Sequence, residues 1–303
     1  MHGPPPPRTP RRAGPARAAA PTAVRFAALA LCACASWGPA EALAGSRLLA
    51  TGGATSVEGS AGGGIVPWAP LAGYAEADEA GGTAFASAVR TDDFALDVIG
   101  AAVALDNRVE LSVARQRLDI DEVVPGERLE QAVLGLKFRL AGELPWGDAP
   151  QLSLGVQIKS LDEGEVPLAV GAARTSGVDV YLAASKLWLD GPFGRHGFAN
   201  ATLRGTNANQ TGLLGFGDGG DRGYELVGEV SAGLFLNRHW VVGVEYRQKP
   251  DRLGFAREDD WKDAFVAWFP NKHVSVVAAW TDLGSIAGLD DQSGAYLSLE
   301  VSR

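Results

Sequence analysis

Beyond residue 80 the chain is written in a two-residue period. Leu152, Leu154, Val156 and Ile158 share one face while Ser153, Gly155, Gln157 and Lys159 share the other. Ala132, Leu134, Leu136, Phe138 and Leu140 alternate in the same way with Gln131, Lys137 and Arg139, and Trp240, Val242, Val244 and Tyr246 with Glu245, Arg247 and Lys249. Only an extended strand sends successive side chains to opposite faces, so these segments are strands with one apolar and one polar side. Twelve can be drawn, over residues 82–91, 93–105, 108–118, 129–141, 151–161, 177–189, 197–206, 223–236, 239–249, 260–269, 272–282 and 294–303. Two are less regular: the apolar parity switches between Leu182 and Leu187, which suggests a bulge or a misdrawn boundary, and both faces of 264–269 are apolar.

The connections sort by length. A barrel with both ends on the periplasmic side alternates outer loops with inner turns, and outer loops are the longer ones. Five of the six outer connections are long, at 119–128, 162–176, 207–222, 250–259 and 283–293, with the Thr91-Asp92 turn as the exception. The inner set holds Asp106-Asn107, Asn237-Arg238 and Pro270-Asn271, plus moderate turns at 142–150 and 190–196. A soluble sandwich has no reason to sort its loops by parity. The expected fold is therefore all-β, an antiparallel transmembrane β-barrel of about 12 strands. Trp146, Trp188, Trp240 and Trp268 fall at predicted periplasmic strand ends, and Trp261 and Trp280 near outer ends, as expected of rings at the membrane interfaces.

Residues 1–44 read as an export signal. Arg8, Arg11, Arg12, Arg17 and Arg25 precede or enter a short apolar run from Phe26 to Trp37, and Ala42-Leu43-Ala44 supplies the small-residue cleavage pattern. General secretion is favoured over twin-arginine export at Arg11-Arg12, and over lipid attachment at Leu31-Cys32-Ala33-Cys34. Cleavage after Ala44 would leave 259 of the 303 residues and no cysteine, so disulfide and thiolate chemistry are excluded. Removing five arginines and Glu41 from 27 basic and 36 acidic residues leaves a net charge of −13, which disfavours nucleic acid as a partner. No mature segment reaches the roughly 20 apolar residues of a spanning helix, so a membrane location, expected to be the cell outer membrane, requires a closed sheet.

Residues 45–81 differ in kind. Gly52 to Trp68 is dense in glycine and continues through Ala69-Pro70-Leu71-Ala72-Gly73-Tyr74. Gly62-Gly63-Gly64 is followed by no Lys-Ser/Thr, so a phosphate loop is disfavoured; glycine instead lets backbone lie flat against a wall. A lumenal plug or inner strand pair is favoured over a periplasmic tail, giving three parts: 1–44 signal, 45–81 Gly-rich segment and 82–303 barrel. This run, with Gly81-Gly82-Thr83-Ala84-Phe85 and Asn107 to Leu118, resembles an uncharacterised proteobacterial outer-membrane family known only as domain of unknown function 3034. The resemblance covers essentially the whole mature chain. It implies an exported outer-membrane barrel and carries over no activity or site residues. The last segment, Tyr296 to Arg303, has the alternation of a final strand without the terminal aromatic that the barrel-assembly machinery commonly reads.

Little points to chemistry. His196, His239 and His273 are the mature histidines, all at predicted periplasmic turns without a nucleophile fixed beside them, so no catalytic residue is assigned and no enzyme is expected. Acidic clusters at Asp119-Asp121-Glu122, Asp162-Glu163-Glu165, Asp218-Asp221, Glu258-Asp259-Asp260 and Asp290-Asp291 do not match a calcium loop. Solvated loop charge is the default reading, with weak divalent binding between these loops and lipopolysaccharide as the alternative; outer-membrane lipid and lipopolysaccharide are the expected partners, and no resident metal and no cofactor are expected. The polar strand faces supply the lumen-lining candidates: Glu110, Gln131, Lys137, Arg139, Gln157, Lys159, Asp179, Arg204, Glu225, Glu229, Glu245, Arg247 and Lys249. Such charges either line a watery channel or pair across the lumen and close it. Passive diffusion of small polar solutes is the favoured function. The alternatives are a non-conducting structural or surface-interaction barrel, and a barrel enzyme acting on lipid or peptide.

Overall fold

A strand of about ten residues suffices to cross a bilayer when tilted, and the described residues make twelve strands of eight to fourteen residues. They are β1 (Ala80–Thr91), β2 (Ala95–Leu105), β3 (Val109–Asp119), β4 (Arg128–Ala141), β5 (Gln151–Leu161), β6 (Ser176–Trp188), β7 (Gly197–Thr206), β8 (Glu225–Phe235), β9 (Trp240–Arg247), β10 (Trp261–Asn271), β11 (Val274–Asp282) and β12 (Ser293–Ser302). Every end falls within two residues of the segment drawn from periodicity. The computed structural model describes residues 48–219 and 223–303; the signal with its cleavage after Ala44, and Asp221 of one acidic cluster, lie outside them.

Each strand pairs antiparallel with its chain neighbours, and β12 returns to β1 in register with Ser298 opposite Ser87, so the sheet closes. Closure removes the unpaired edges that hydrocarbon cannot solvate. Outward positions along the strands are apolar and exposed, as at Ile99, Val113, Leu134, Ile158, Val180, Val230, Val244 and Leu297. Outward charges collect near the outer ends, where Arg115 meets Glu130 at 2.8 Å and Lys262 meets Asp282 at 2.9 Å. An apolar girdle ending in a charged outer rim is the surface of a barrel surrounded by lipid.

The expected bulge in β6 is absent: Asp179, Tyr181, Ala183, Ser185 and Leu187 all point inward in unbroken alternation. The sequence pattern misleads there because Leu187 packs inside the lumenal mouth, where an apolar inward residue mimics a parity switch. Register shifts occur instead in β4–β5, between Arg139 and Ala141, and in β10–β11, between Trp268 and Asn271.

The outer loops are not simply solvated. Residues 207–217 fold inward and bury Leu213, Leu214 and Phe216, and Phe216–Asp218 pairs with Ala172–Arg174 of the neighbouring loop, which also carries the short helix Glu165–Ala169. The inward loop is anchored at Gln210, whose backbone N–H donates to both Glu258 oxygens at 3.1 and 2.9 Å while its side-chain carbonyl accepts from Lys249 Nζ at 2.7 Å. Glu258, expected in solvent, is buried. Burial pushes its carboxyl up to about 7 against the pull of Lys249. Because that value lies above the ordinary 4.5, docking of the loop is strongest below that pH and weakens as pH rises through about 7. Lys249, pushed down to about 8 by the same burial, titrates above this window. Proteinase K in detergent should therefore cut within 207–217 faster at about pH 7.5 than at about pH 5, after normalisation to an unfolded substrate, and Glu258→Gln should flatten the difference. Equal rates in the wild type would refute the anchor.

The lumen and its plug as the candidate functional site

A twelve-stranded barrel encloses more space than its own inward side chains fill. Here the space is occupied by the Gly-rich segment, whose residues 51–75 are all buried. Its regular structure is minimal: Ala54–Thr55 pairs with Ala61–Gly62, and a tight turn brings Gly63 N–H to Val66 O at 2.9 Å. A segment with so little internal pairing must satisfy its backbone elsewhere or leave buried polar groups unpaired.

The barrel wall does this with side chains. Gln116 donates to Val57 O at 2.8 Å, Thr202 to Pro67 O at 2.8 Å, and Gln151 and Ser153 to Ala69 O at 2.8 and 2.6 Å. Lys137 Nζ donates to Ala61 O and Pro70 O, each at 2.9 Å. Glu110 accepts from Ala61 N–H and Ala72 N–H at 3.2 and 2.8 Å, and Glu245 from Ile65 N–H at 2.9 Å and the Trp68 indole at 3.2 Å. Glycine matters where the fit is closest: a Cβ on Gly63 would lie 1.9 Å from the Glu245 carboxylate. The mixed-sign lumen face is thus a set of donors and acceptors matched to a backbone.

At the centre is Glu58, the only charged residue between 48 and 75. Its carboxylate meets Lys159, Arg204 at 3.2 Å and Arg247 at 2.9 Å. Asp179 takes a second pair of contacts, from Lys159 at 2.6 Å and Arg204 at 3.2 Å, and Glu229 binds Arg204 and, at 3.6 Å, Arg247. Three cations and three carboxylates, all buried, form one balanced cluster that ties the plug to β5, β6, β7, β8 and β9. Buried charge is tolerated only when paired in this way. Gln157 donates no charge but accepts from Arg204 at 2.7 Å.

Of the thirteen residues expected to line the lumen, Glu110, Gln131, Lys137, Gln157, Lys159, Asp179, Arg204, Glu229, Glu245 and Arg247 are buried inward-facing wall residues. Lys249 follows β9 at the outer mouth, and Arg139 is half-buried at the periplasmic mouth, donating to Gly142 O at 2.7 Å. Glu225 does not line the lumen: it keeps the inward parity of Val227 and Glu229, but it lies beyond the plug and is exposed, 3.5 Å from Arg252. Among the expected interface aromatics, Trp146, Trp188, Trp240, Trp268 and Trp280 are exposed, with Trp240 and Trp268 stacked at 5.8 Å across β9 and β10. Trp261 is a correction. It is buried inside, under Arg247 at 5.8 Å and Lys249 at 5.0 Å. Residues 264–269 of β10 are apolar on both faces, so hydropathy could not assign its parity; the inward set is Trp261, Asp263, Phe265, Ala267 and Phe269.

Periodicity missed Glu58, Asp263 and Glu300. Glu300 accepts from Thr55 of the plug, and Asp263 stands opposite Glu245 in the β9–β10 register. Glu58 had a readable signal, a lone acid in a stretch otherwise free of charge. The histidines have structural surroundings: Nδ1 of His196 meets Leu189 O, that of His239 meets Phe269 O at 2.7 Å, and that of His273 meets Ser302 O at 3.1 Å.

A closed antiparallel sheet with an apolar girdle, shut by its own N-terminal segment, defines a transmembrane β-barrel of the outer-membrane type. The chain belongs to the family described as protein of unknown function (DUF3034), whose model matches residues 51–300 and so includes both plug and wall. A search of curated proteins finds no match. Among solved structures the chain is similar to the NanC porin, with 9% identity, a TM-score of 0.45 and coverage of 73% of this chain and 98% of that one. It is also similar to the outer membrane protein Omp33 of Acinetobacter baumannii (10%, 0.42, 75% and 99%) and to outer membrane phospholipase A of Escherichia coli (9%, 0.34, 74% and 92%). At these identities no activity or substrate carries over.

Proposed function

We propose that this chain is an outer-membrane barrel closed at rest, through which small polar solutes diffuse only when residues 51–75 leave the lumen. The observation that carries the reading is the filling of the lumen by a segment that is not part of the wall. The space left beside it within the barrel is small, about 30 Å³ next to Trp68, room for a water molecule and not for a solute, and the larger hollow of about 750 Å³ lies at the periplasmic mouth, lined by Thr51, Glu76, Arg139 and Trp146. Once the plug has left, the mixed charges that held it can be hydrated, and a hydrated lumen of both signs suits small polar molecules. The reading invokes no catalysis and no cofactor.

Planar-bilayer recording tests it. The wild type should be silent with rare conductance steps, Glu58→Gln should step often, and a variant lacking 51–75 should conduct continuously, with heat-dependent gel mobility showing that each barrel is folded. A steadily conducting wild type would overturn closure at rest. Silence in all three would overturn passage and favour the second reading, a non-conducting surface barrel, for which the acidic outer loops are the relevant observation; lipopolysaccharide would then be the partner to test by cross-linking.

A further inference from the structure

The periplasmic rim is divided by charge. The β6–β7 and β8–β9 turns, residues 189–196 and 236–239, carry Arg195, His196, Arg238 and His239 against the single acid Asp190. On the opposite side, the entry to β1 and the β4–β5 turn carry Glu76, Asp78, Glu79, Glu143 and Asp148, while Asp106 pairs with Arg108 at 3.5 Å. The β10–β11 turn adds Lys272 and His273, and in so acidic a chain a basic sector running over three successive turns needs an account.

Beside those turns the outer wall is hollowed. Ala232 and Ala264 present short side chains to the lipid, and the backbone behind them at Gly233 and Gly243 adds no bulk. The result is a shallow, open groove of about 660 Å³ bounded by Trp188 and Phe193. Phe193 is 90% exposed, and its backbone has a left-handed φ of 60°. An exposed ring at the groove edge is one that a hydrocarbon neighbour would cover. Arg195 bonds Leu236 O and so bridges the two turns, and Arg238 Nε donates to His239 at 2.8 Å. Each guanidinium has five donors in a fixed fork suited to phosphate oxygens.

We propose that this groove and the two arginines form a site for one anionic glycerophospholipid of the periplasmic leaflet, with an acyl chain over Ala232 and Ala264 and the phosphate at Arg195 and Arg238. The site lies on the outside of the wall and does not depend on movement of the plug. Charge selects the headgroup: Arg195 and Arg238 face a leaflet in which zwitterionic lipid offers no net attraction, and each basic residue near a membrane surface favours anionic lipid by several-fold.

The test uses the full chain in detergent with brominated phosphatidylglycerol or brominated phosphatidylcholine, reading the quenching of tryptophan fluorescence, and native mass spectrometry to count retained lipid. Trp188 borders the groove, and Trp240 is the first residue of β9, directly after the β8–β9 turn. Phosphatidylglycerol should quench at roughly tenfold lower concentration. Arg195→Gln with Arg238→Gln should abolish that preference while chain-dependent quenching remains, whereas Ala232→Leu, which fills the groove and leaves the rim intact, should reduce quenching by both lipids and the retained count to zero. Unchanged gel mobility on heating verifies that the variants are folded. Equal quenching by the two lipids in the wild type, a preference that survives both arginine substitutions, or retention of a second protein copy in place of lipid would each overturn the site.

Discussion

Glu58→Gln should destabilise the folded barrel by about 3–5 kcal/mol, the usual cost of removing one partner from a buried charge cluster. The substitution keeps the shape of the side chain and deletes only its charge. Lys159, Arg204 and Arg247 then share Asp179 and Glu229, leaving one buried cation without compensation. Two routes relieve it: the wall unfolds, or the plug leaves and water enters. The second is cheaper, because the wall retains its closed hydrogen-bond ladder. Limited proteolysis between residues 51 and 75 should consequently accelerate before the urea midpoint of the barrel falls, with tryptophan fluorescence reporting the midpoint. A Glu58→Gln barrel with the wild-type midpoint and a wild-type cleavage rate would show that the cluster does not retain the plug.

Gly62→Ala should be the more damaging of two neighbouring one-carbon substitutions. A Cβ at Gly62 would lie 2.3 Å from Val66 O, 2.8 Å from Pro67 Cα and 3.0 Å from Trp68 N, all backbone atoms of the same tight turn. These cannot withdraw without opening the turn, and overpacking of this kind costs about 1–3 kcal/mol or more. At Gly63 the obstacle is the far end of the Glu245 side chain, which can swing aside, although its bonds to Ile65 and Trp68 are then weakened. The same urea series compares them. A lower midpoint for Gly63→Ala than for Gly62→Ala would mean that the wall, and not the turn, limits the fit.

The wall was legible because its signal is local. A period of two needs only five or six residues, and a closed, half-buried sheet imposes it on every strand, so both ends of all twelve strands fell within two residues of expectation. It failed where both faces are apolar, which is why Trp261 was assigned to the membrane interface, and where inward parity runs past the plug, as at Glu225. The plug's partners carry no such signal. Thr55 meets Glu300 at a separation of 245 residues and Glu58 meets Arg247 at 189, and no periodicity relates them. Composition told more: a lone acid in an uncharged glycine-rich run, and the apolar Leu213-Leu214-Gly215-Phe216 inside a loop otherwise read as solvent-facing, are both out of keeping with exposed chain.

The seam between β1 and β12 has a consequence for assembly. Ser87 and Ser298, hydrogen-bonded across it at 2.8 Å, are 211 residues apart, the kind of non-local contact that forms last because loop closure must come first. Gly73 and Gly82 meet the chain terminus on the same edge, Gly82 N–H donating to Arg303 O at 2.8 Å. The segment that fills the lumen immediately precedes β1, and its Thr55 is held by Glu300 of β12. The contents of the lumen thus touch both edges of the seam, so the segment can serve as a mandrel on which the first and last strands meet.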